Sequence, residues 1–122
     1  MAEGFARAKG NQLVDAYSAG TFPTGVVSPE AIEVMREKGI DISHQVSKGI
    51  GDVSFEGLDV VVSMANYSAD DLCPASFRGH KINWAVPDPI GKPIDCFRIA
   101  RDEIEGKVRS LLEWIWKEEP TR

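Results

Sequence analysis

Leu58-Asp59-Val60-Val61-Val62-Ser63-Met64 sets three consecutive valines between polar neighbours. A β-branched run without polar alternation suits a strand covered on both faces, as in a parallel sheet. Outward from this run, helices and strands alternate. Upstream, Ser28-Pro29-Glu30 opens a helix: the serine is a capping residue, the proline suits the first helical position, and the glutamate complements the positive helix end. Ala31, Ile32 and Met35 form its apolar stripe, and Gly39 ends it. Before it, Leu13 to Ser18 reads as a strand ending in Ala19-Gly20. Met1 to Lys9 reads as a helix with Ala2, Phe5 and Ala6 on one side and Gly10 as its stop. Downstream, residues 65 to 80 read as polar and irregular, with Pro74 and Gly79, and Lys81 to Val86 as a further strand. Phe97, Ala100, Ile104, Val108, Leu111 and Ile115 then step by three or four, which predicts a long amphipathic helix with Asp95 as its cap and Pro93 ahead. Strands separated by helices predict an α/β layered domain.

Length and composition narrow the function classes. A chain of 122 residues without repeats or low-complexity tracts predicts a single domain. With 43% apolar and 27% charged residues, it has the make-up of a protein that buries one core. A net charge of −5 argues against nucleic acid as a partner. No apolar stretch approaches the roughly 18 residues that a bilayer crossing needs, so no membrane partner is expected. Met1-Ala2-Glu3-Gly4-Phe5 lacks the basic and apolar regions of a secretory signal. Cys73 and Cys96 are too few for a disulfide scaffold or a structural zinc site, and His44 and His80 are not at helical ligand spacing. Two free thiols in a reducing cytoplasm, with no metal and no cofactor, is the expectation. His44, Arg78, His80 and Lys81 make at most a modest basic loop, read as solvated surface.

Met1-Ala2-Glu3-Gly4-Phe5-Ala6 and Tyr17-Ser18-Ala19-Gly20-Thr21 resemble the low-molecular-weight tyrosine phosphatase and arsenate reductase superfamily. The segments Pro29 to Met35, Gly39 to Ser43 and Asp59 to Ser63 resemble its arsenate reductase branch. So do Cys73-Pro74, Trp84 through Asp88-Pro89-Ile90-Gly91, and Arg101 to Ile104. The matches run in order over almost the whole chain. They imply a low-molecular-weight phosphatase-like parallel sheet with helices on both faces. In that family a cysteine, five residues and an arginine form the loop after the first strand, just before the segment matching Met1-Ala2-Glu3. The resemblance therefore implies that residues 1–122 form one N-terminally truncated domain, with that strand and loop absent. Within the chain, position 79, six residues after Cys73, is Gly79, and position 102, six after Cys96, is Asp102. Neither cysteine has the arginine.

The motif matters because a thiolate that attacks phosphate or arsenate must stay ionised near neutral pH, which helix-end and loop amides favour. The same amides, with a bidentate arginine, hold the tetrahedral oxyanion. Among the remaining residues, the resemblance implies that Asp88 is the general acid that protonates the leaving oxygen. Without it, an aspartate between two prolines reads as a surface turn. Trp84 either walls that side of the cleft or is a core aromatic. Cys73 matches the final thiol of a thioredoxin-coupled relay, but the intermediate thiol would fall at Met64 or Ala65, and neither is cysteine. Cys96 has no matching role and reads as structural. Glu3 and Ser18 match positions that help bind a potassium ion in some arsenate reductases. Lys48 stands where a further carboxylate is expected, and its ammonium suits such a site in place of the ion. The plainer alternative has Glu3 complementing a helix end, Ser18 ending a strand and Lys48 solvated.

Three functions follow as expectations. The first is an arsenate reductase-like protein, acting on an arsenate or phosphate-type oxyanion with thioredoxin as electron donor, and inactive as the chain stands. The second is a low-molecular-weight protein tyrosine phosphatase or phosphomonoesterase. The third is a non-catalytic oxyanion-binding or interaction module. The resemblance also places the strands matching Leu13 to Ser18 and Leu58 to Met64 on either side of the absent strand. They are expected to pair directly, to self-associate through the gap, or to leave the chain poorly stable.

Overall fold

The computed structural model describes residues 1–10, 14–19, 28–45, 49, 54–64, 68–87 and 89–118. The elements are α1 (Ala2–Gly10), α2 (Pro29–Arg36), β1 (Val60–Ser63), α3 (Ala69–Leu72), β2 (His80–Asn83) and α4 (Ile94–Glu118). Three helices make one packing unit, α4 lying against both α1 and α2. Its centre holds Phe5, Val34, Met35 and Ile42 with no exposed surface, joined by Phe97, Ile104, Val108 and Leu112 from α4. The stripe that predicts α4 is thus the face that packs, although Leu112 rather than Leu111 is the buried leucine of its last turns.

Helix α2 follows its sequence signals with one change. Pro29 occupies the first turn as expected, but the Ser28 hydroxyl makes no cap and instead donates to Glu30 Oε2 at 2.7 Å. The C-terminus closes through Gly39, whose φ of 75° suits a residue without Cβ. There the Gly39 N–H donates to the Arg36 carbonyl and the Ile40 N–H to that of Met35, which satisfies carbonyls the helix leaves open. Asp95 likewise is not the cap of α4. The helix begins at Ile94, the Cys96 N–H donates to the Pro93 carbonyl, and Asp95 in the first turn accepts from Arg98 at 2.7 Å.

The second unit is a parallel pair, β1 with β2, in the register Val60↔His80 to Ser63↔Asn83. Helix α3 packs on both strands and lies within the connection between them, a crossover that parallel strands require. It falls inside the stretch expected to be irregular. Ser68 starts it by accepting the Asp71 N–H at 3.2 Å, and the Ala69 N–H donates to Asn83 Oδ1 at 2.7 Å. At four residues, α3 is too short to show a helical period. Gly79 lets the chain enter β2: a Cβ there would run into the Asp59 carbonyl and the Phe77 ring.

Three strand expectations change, the first being that the strand expected at Lys81 to Val86 is β2, His80–Asn83, and stops before Trp84. Residues 14–19 carry no strand, and Leu13 lies outside the described residues. The Ala16 carbonyl accepts from the Arg7 guanidinium at 2.6 Å, which ties the segment to α1. Direct pairing of this segment with β1 is therefore not the arrangement found; β2 is the partner. Nor is the valine run covered on both faces. Val60, Val61 and Val62 are half-buried, and Ser63 alone of the four is buried; among the described residues the sheet has two strands, so β1 has one strand neighbour there. The protein is nonetheless an α/β fold with a parallel sheet and flanking helices.

Candidate functional site

Glu3 lies in the first turn of α1, where a carboxylate complements the positive helix end. It is buried, at 8% exposure, because the helix turns it towards the segment 14–19. Its Oε2 accepts from Arg7 Nε at 2.9 Å, one helical turn on. Its Oε1 accepts a short hydrogen bond from the Ser18 hydroxyl. Arg7 also donates through Nη2 to the Ala16 carbonyl. The structure therefore brings together Glu3 and Ser18, as the sequence suggests, and adds Arg7, which sequence reasoning passed over. The signal was available: glutamate and arginine four residues apart on a helix are placed to pair.

The same geometry tests whether the potassium ion implied by the resemblance fits. Each Glu3 oxygen already faces a protein donor, and one donor is a guanidinium. Among the described residues no cluster of three or more histidine, cysteine, aspartate or glutamate residues offers a metal site. The Arg7 guanidinium already supplies the positive charge that a cation would bring to Glu3 and takes up the Ala16 carbonyl as well, so the residues present do not call for the ion. Lys48 lies outside the described residues.

Trp84 follows β2 directly, its N–H donating to the Ser63 carbonyl at 2.8 Å. Its half-buried ring packs against the helical core and lines a groove between β2 and α4 with Ile82, Leu111 and Trp114. One side of the ring thus packs at the edge of the core and another lines this groove. His80 closes the same region with its ring edge-on to Trp114, centroids 4.8 Å apart. Asp88, the expected general acid, lies outside the described residues, between Pro87 and Pro89.

Cys73 ends α3 and is buried, with its N–H donating to the Ala69 carbonyl. Burial pushes its thiol above the usual cysteine range, only partly countered by the nearby Lys81 ammonium, so it rests protonated. Cys96 sits half-buried on α4 beside Pro87 and Pro89, and both thiols are free. Met64, at one of the two positions expected for an intermediate thiol, is exposed, and Ala65 lies outside the described residues.

A second charged cluster escaped the sequence reading. Glu37, at the end of α2, accepts from both Arg98 and Arg101 of α4, the closest approach being Arg101 Nη1 at 2.6 Å. Arg101 is buried and also donates to the Val34 carbonyl and to Asp102. The two guanidinium groups pull the Glu37 carboxyl down to about 2. These residues pin α2 to α4. Part of the matching run Arg101 to Ile104 is therefore fixed by packing: Arg101 serves the cluster, and Ile104 is core.

Comparison with known proteins gives a consistent result. Residues 1–121 match the family model for low molecular weight phosphotyrosine protein phosphatase. Arsenate reductase 1 of Staphylococcus epidermidis is 38% identical over 112 residues, covering 91% of this chain and 83% of the relative. A glutaredoxin arsenate reductase of Synechocystis is 33% identical over 117 residues, covering 94% and 87%. Among solved structures, an arsenate reductase in its oxidized state superposes with a TM-score of 0.82 at 33% identity, covering 93% of this chain and 86% of that one. A low molecular weight protein tyrosine phosphatase from T. tengcongensis gives 0.70 at 29% identity, covering 92% and 87%. With its α/β fold and these matches along almost its whole length, the chain belongs to the low-molecular-weight phosphotyrosine protein phosphatase family, as an arsenate reductase-like member.

Proposed function

We propose that this protein handles a tetrahedral oxyanion, arsenate or phosphate, as an arsenate reductase-type scaffold. The observation that carries the reading is the identity to arsenate reductases at 32–40% over at least nine-tenths of the chain. A related arsenate reductase whose structure is described as a phosphate binding state supports the ligand class, with a TM-score of 0.80 at 31% identity. Asp88 is the general acid in this reading, and Trp84 walls the cleft. Glu3 and Ser18 act behind the site by fixing the segment after α1.

The chemistry needs a nucleophilic thiolate with an arginine six positions on, and no cysteine of the 122 residues has one. Cys73 does not replace it, being buried and protonated. The chain by itself is therefore expected to turn over neither p-nitrophenyl phosphate nor arsenate, whether thioredoxin or glutaredoxin supplies electrons. Turnover by the purified chain that Cys73→Ser abolishes would overturn this reading. The role of Asp88 is read in a chimera that carries a family strand and cysteine–arginine loop ahead of Met1. There Asp88→Asn should lower phosphatase turnover by about 10²-fold or more.

The phosphatase reading is the second choice, favoured by one observation: Met64 and Ala65 hold no thiol for a relay. In the same chimera, phosphatase turnover without arsenate reduction would select it. Self-association through the half-exposed valines of β1 belongs to the proposal too, and light scattering across a concentration series measures it.

A further inference from the structure

The Glu3 network holds more than a helix cap requires. A carboxylate with 7% side-chain exposure is costly to keep charged unless it is paired, and here the Arg7 guanidinium hydrogen-bonds it directly while the Met1 ammonium adds a nearby positive charge. Arg7 itself is 52% exposed, yet two hydrogen bonds hold it, one to Glu3 on its own helix and one, nine residues away, to the Ala16 carbonyl, while Ser18 bonds the other Glu3 oxygen. The oxygens that converge there are a carboxylate, a hydroxyl and a main-chain carbonyl. Such a set also attracts a hard cation. The planar guanidinium already meets two of these oxygens at hydrogen-bond distance, with a fixed positive charge and more than one N–H donor.

We propose that Arg7 is the built-in countercation of Glu3, standing where the family resemblance would place a potassium ion, and that this guanidinium latch fixes residues 14–19 to α1 without an alkali metal. The latch explains two features at once. Residues 14–19 hold a defined path without strand pairing, and Tyr17 is left projecting into solvent at 59% exposure next to latched Ser18. Arg7 is a positioning residue in this account. It acts through Glu3 and the segment, and touches no reacting atom.

The test compares the unfolding midpoint of the intact 122-residue chain in KCl, NaCl and choline chloride at equal ionic strength, about 0.15 M. The expected result is one midpoint for all three salts. A midpoint that rises in KCl over both other salts overturns the proposal. Arg7→Met should then expose the carboxylate, speed hydrogen exchange of the 14–19 amides by about tenfold or more, and make the midpoint respond to potassium. Arg7→Lys should restore the salt indifference. Unchanged exchange in Arg7→Met would show that the latch does not hold the segment. If that variant does not fold, Ser18→Ala replaces it in the exchange measurement, with faster exchange confined to residues 14–19 as the supporting outcome and unchanged exchange as the opposing one.

Discussion

The helical unit of α1, α2 and α4 and the strand unit of β1, α3 and β2 solve the problem of burial very differently. In the first, Phe5, Val34, Met35 and Ile42 are wholly shielded, and α4 adds five more buried apolar side chains, Phe97, Ala100, Ile104, Val108 and Leu112. In the second, the buried apolar residues among those described are Ala69, Cys73 and Phe77, two of them small, and the valines of β1 keep part of their surface in water. Phe55 meets Phe77 edge-to-face at 6.2 Å, a contact worth about 0.5–1.5 kcal/mol, well short of a core. The difference teaches that the residues of a family can keep their order along the chain while the folding stability collects in one unit. Trp84 and Val86, which follow β2, pack on the helical core, and His80 meets Trp114 of α4.

That contrast is open to attack, starting where the largest effect lies. Phe5→Ala removes a fully buried ring and should cost about 3–5 kcal/mol, against about 1 kcal/mol for Val61→Ala, both read from urea unfolding. Equal losses would erase the distinction. Glycines give the next test. Gly79→Ala drives a methyl into the Asp59 main chain and should cost about 1–3 kcal/mol. Gly4→Ala meets side chains rather than backbone, Ile42 Cγ2 at 2.7 Å and Met35 Cε at 3.2 Å. The Met35 end can yield but the fully buried, β-branched Ile42 cannot swing away, so overpacking of the helical unit offsets the roughly 1 kcal/mol of helix propensity gained. Hydrogen exchange should place the Gly79→Ala damage in β1 and β2.

The smallest effect is electrostatic. Glu37 titrates at about 2 in the folded chain, against an ordinary 4.5, because Arg98 and Arg101 hydrogen-bond its charged form. A lowered folded value means that its stabilisation is complete above the ordinary value and fades as pH falls through about 2. The Tm difference between the wild-type chain and Glu37→Gln should therefore be constant at pH 5–7 and shrink below pH 4. A difference that is flat down to pH 2 would show that this exposed cluster contributes nothing to joining α2 and α4.

Much of this was legible in the residues. The three-and-four spacing from Phe97 onward marks the face of α4 that packs, since the period follows from helix geometry alone. Pro29 and Gly39 bracket α2 because one lacks an amide that the first turn does not use and the other accepts a φ of 75°. Less could be read where a local preference had a rival. Asp95 is a good capping residue, but the chain turns into α4 one residue earlier on the Pro93 carbonyl, which leaves Asp95 to pair with Arg98. At the candidate site, Glu3 and Ser18 came from the ordered resemblance, and their juxtaposition holds. Arg7 was missed because a surface arginine on a helix has many equivalent fates in a sequence.

By itself, then, the sequence determined the family, the helices with a clear period or bracket, the valine strand, and the lack of any cysteine–arginine pair six positions apart. Those properties are local or ordered along the chain, so they survive without knowledge of contacts. Tertiary structure alone decided that residues 14–19 stay out of the sheet, that β1 is half-covered, and that Glu3 is neutralised by Arg7. Each of those outcomes is a competition for one partner among several distant ones. Periodicity reports which face of an element is apolar, and leaves open what that face, or a buried charge, will meet.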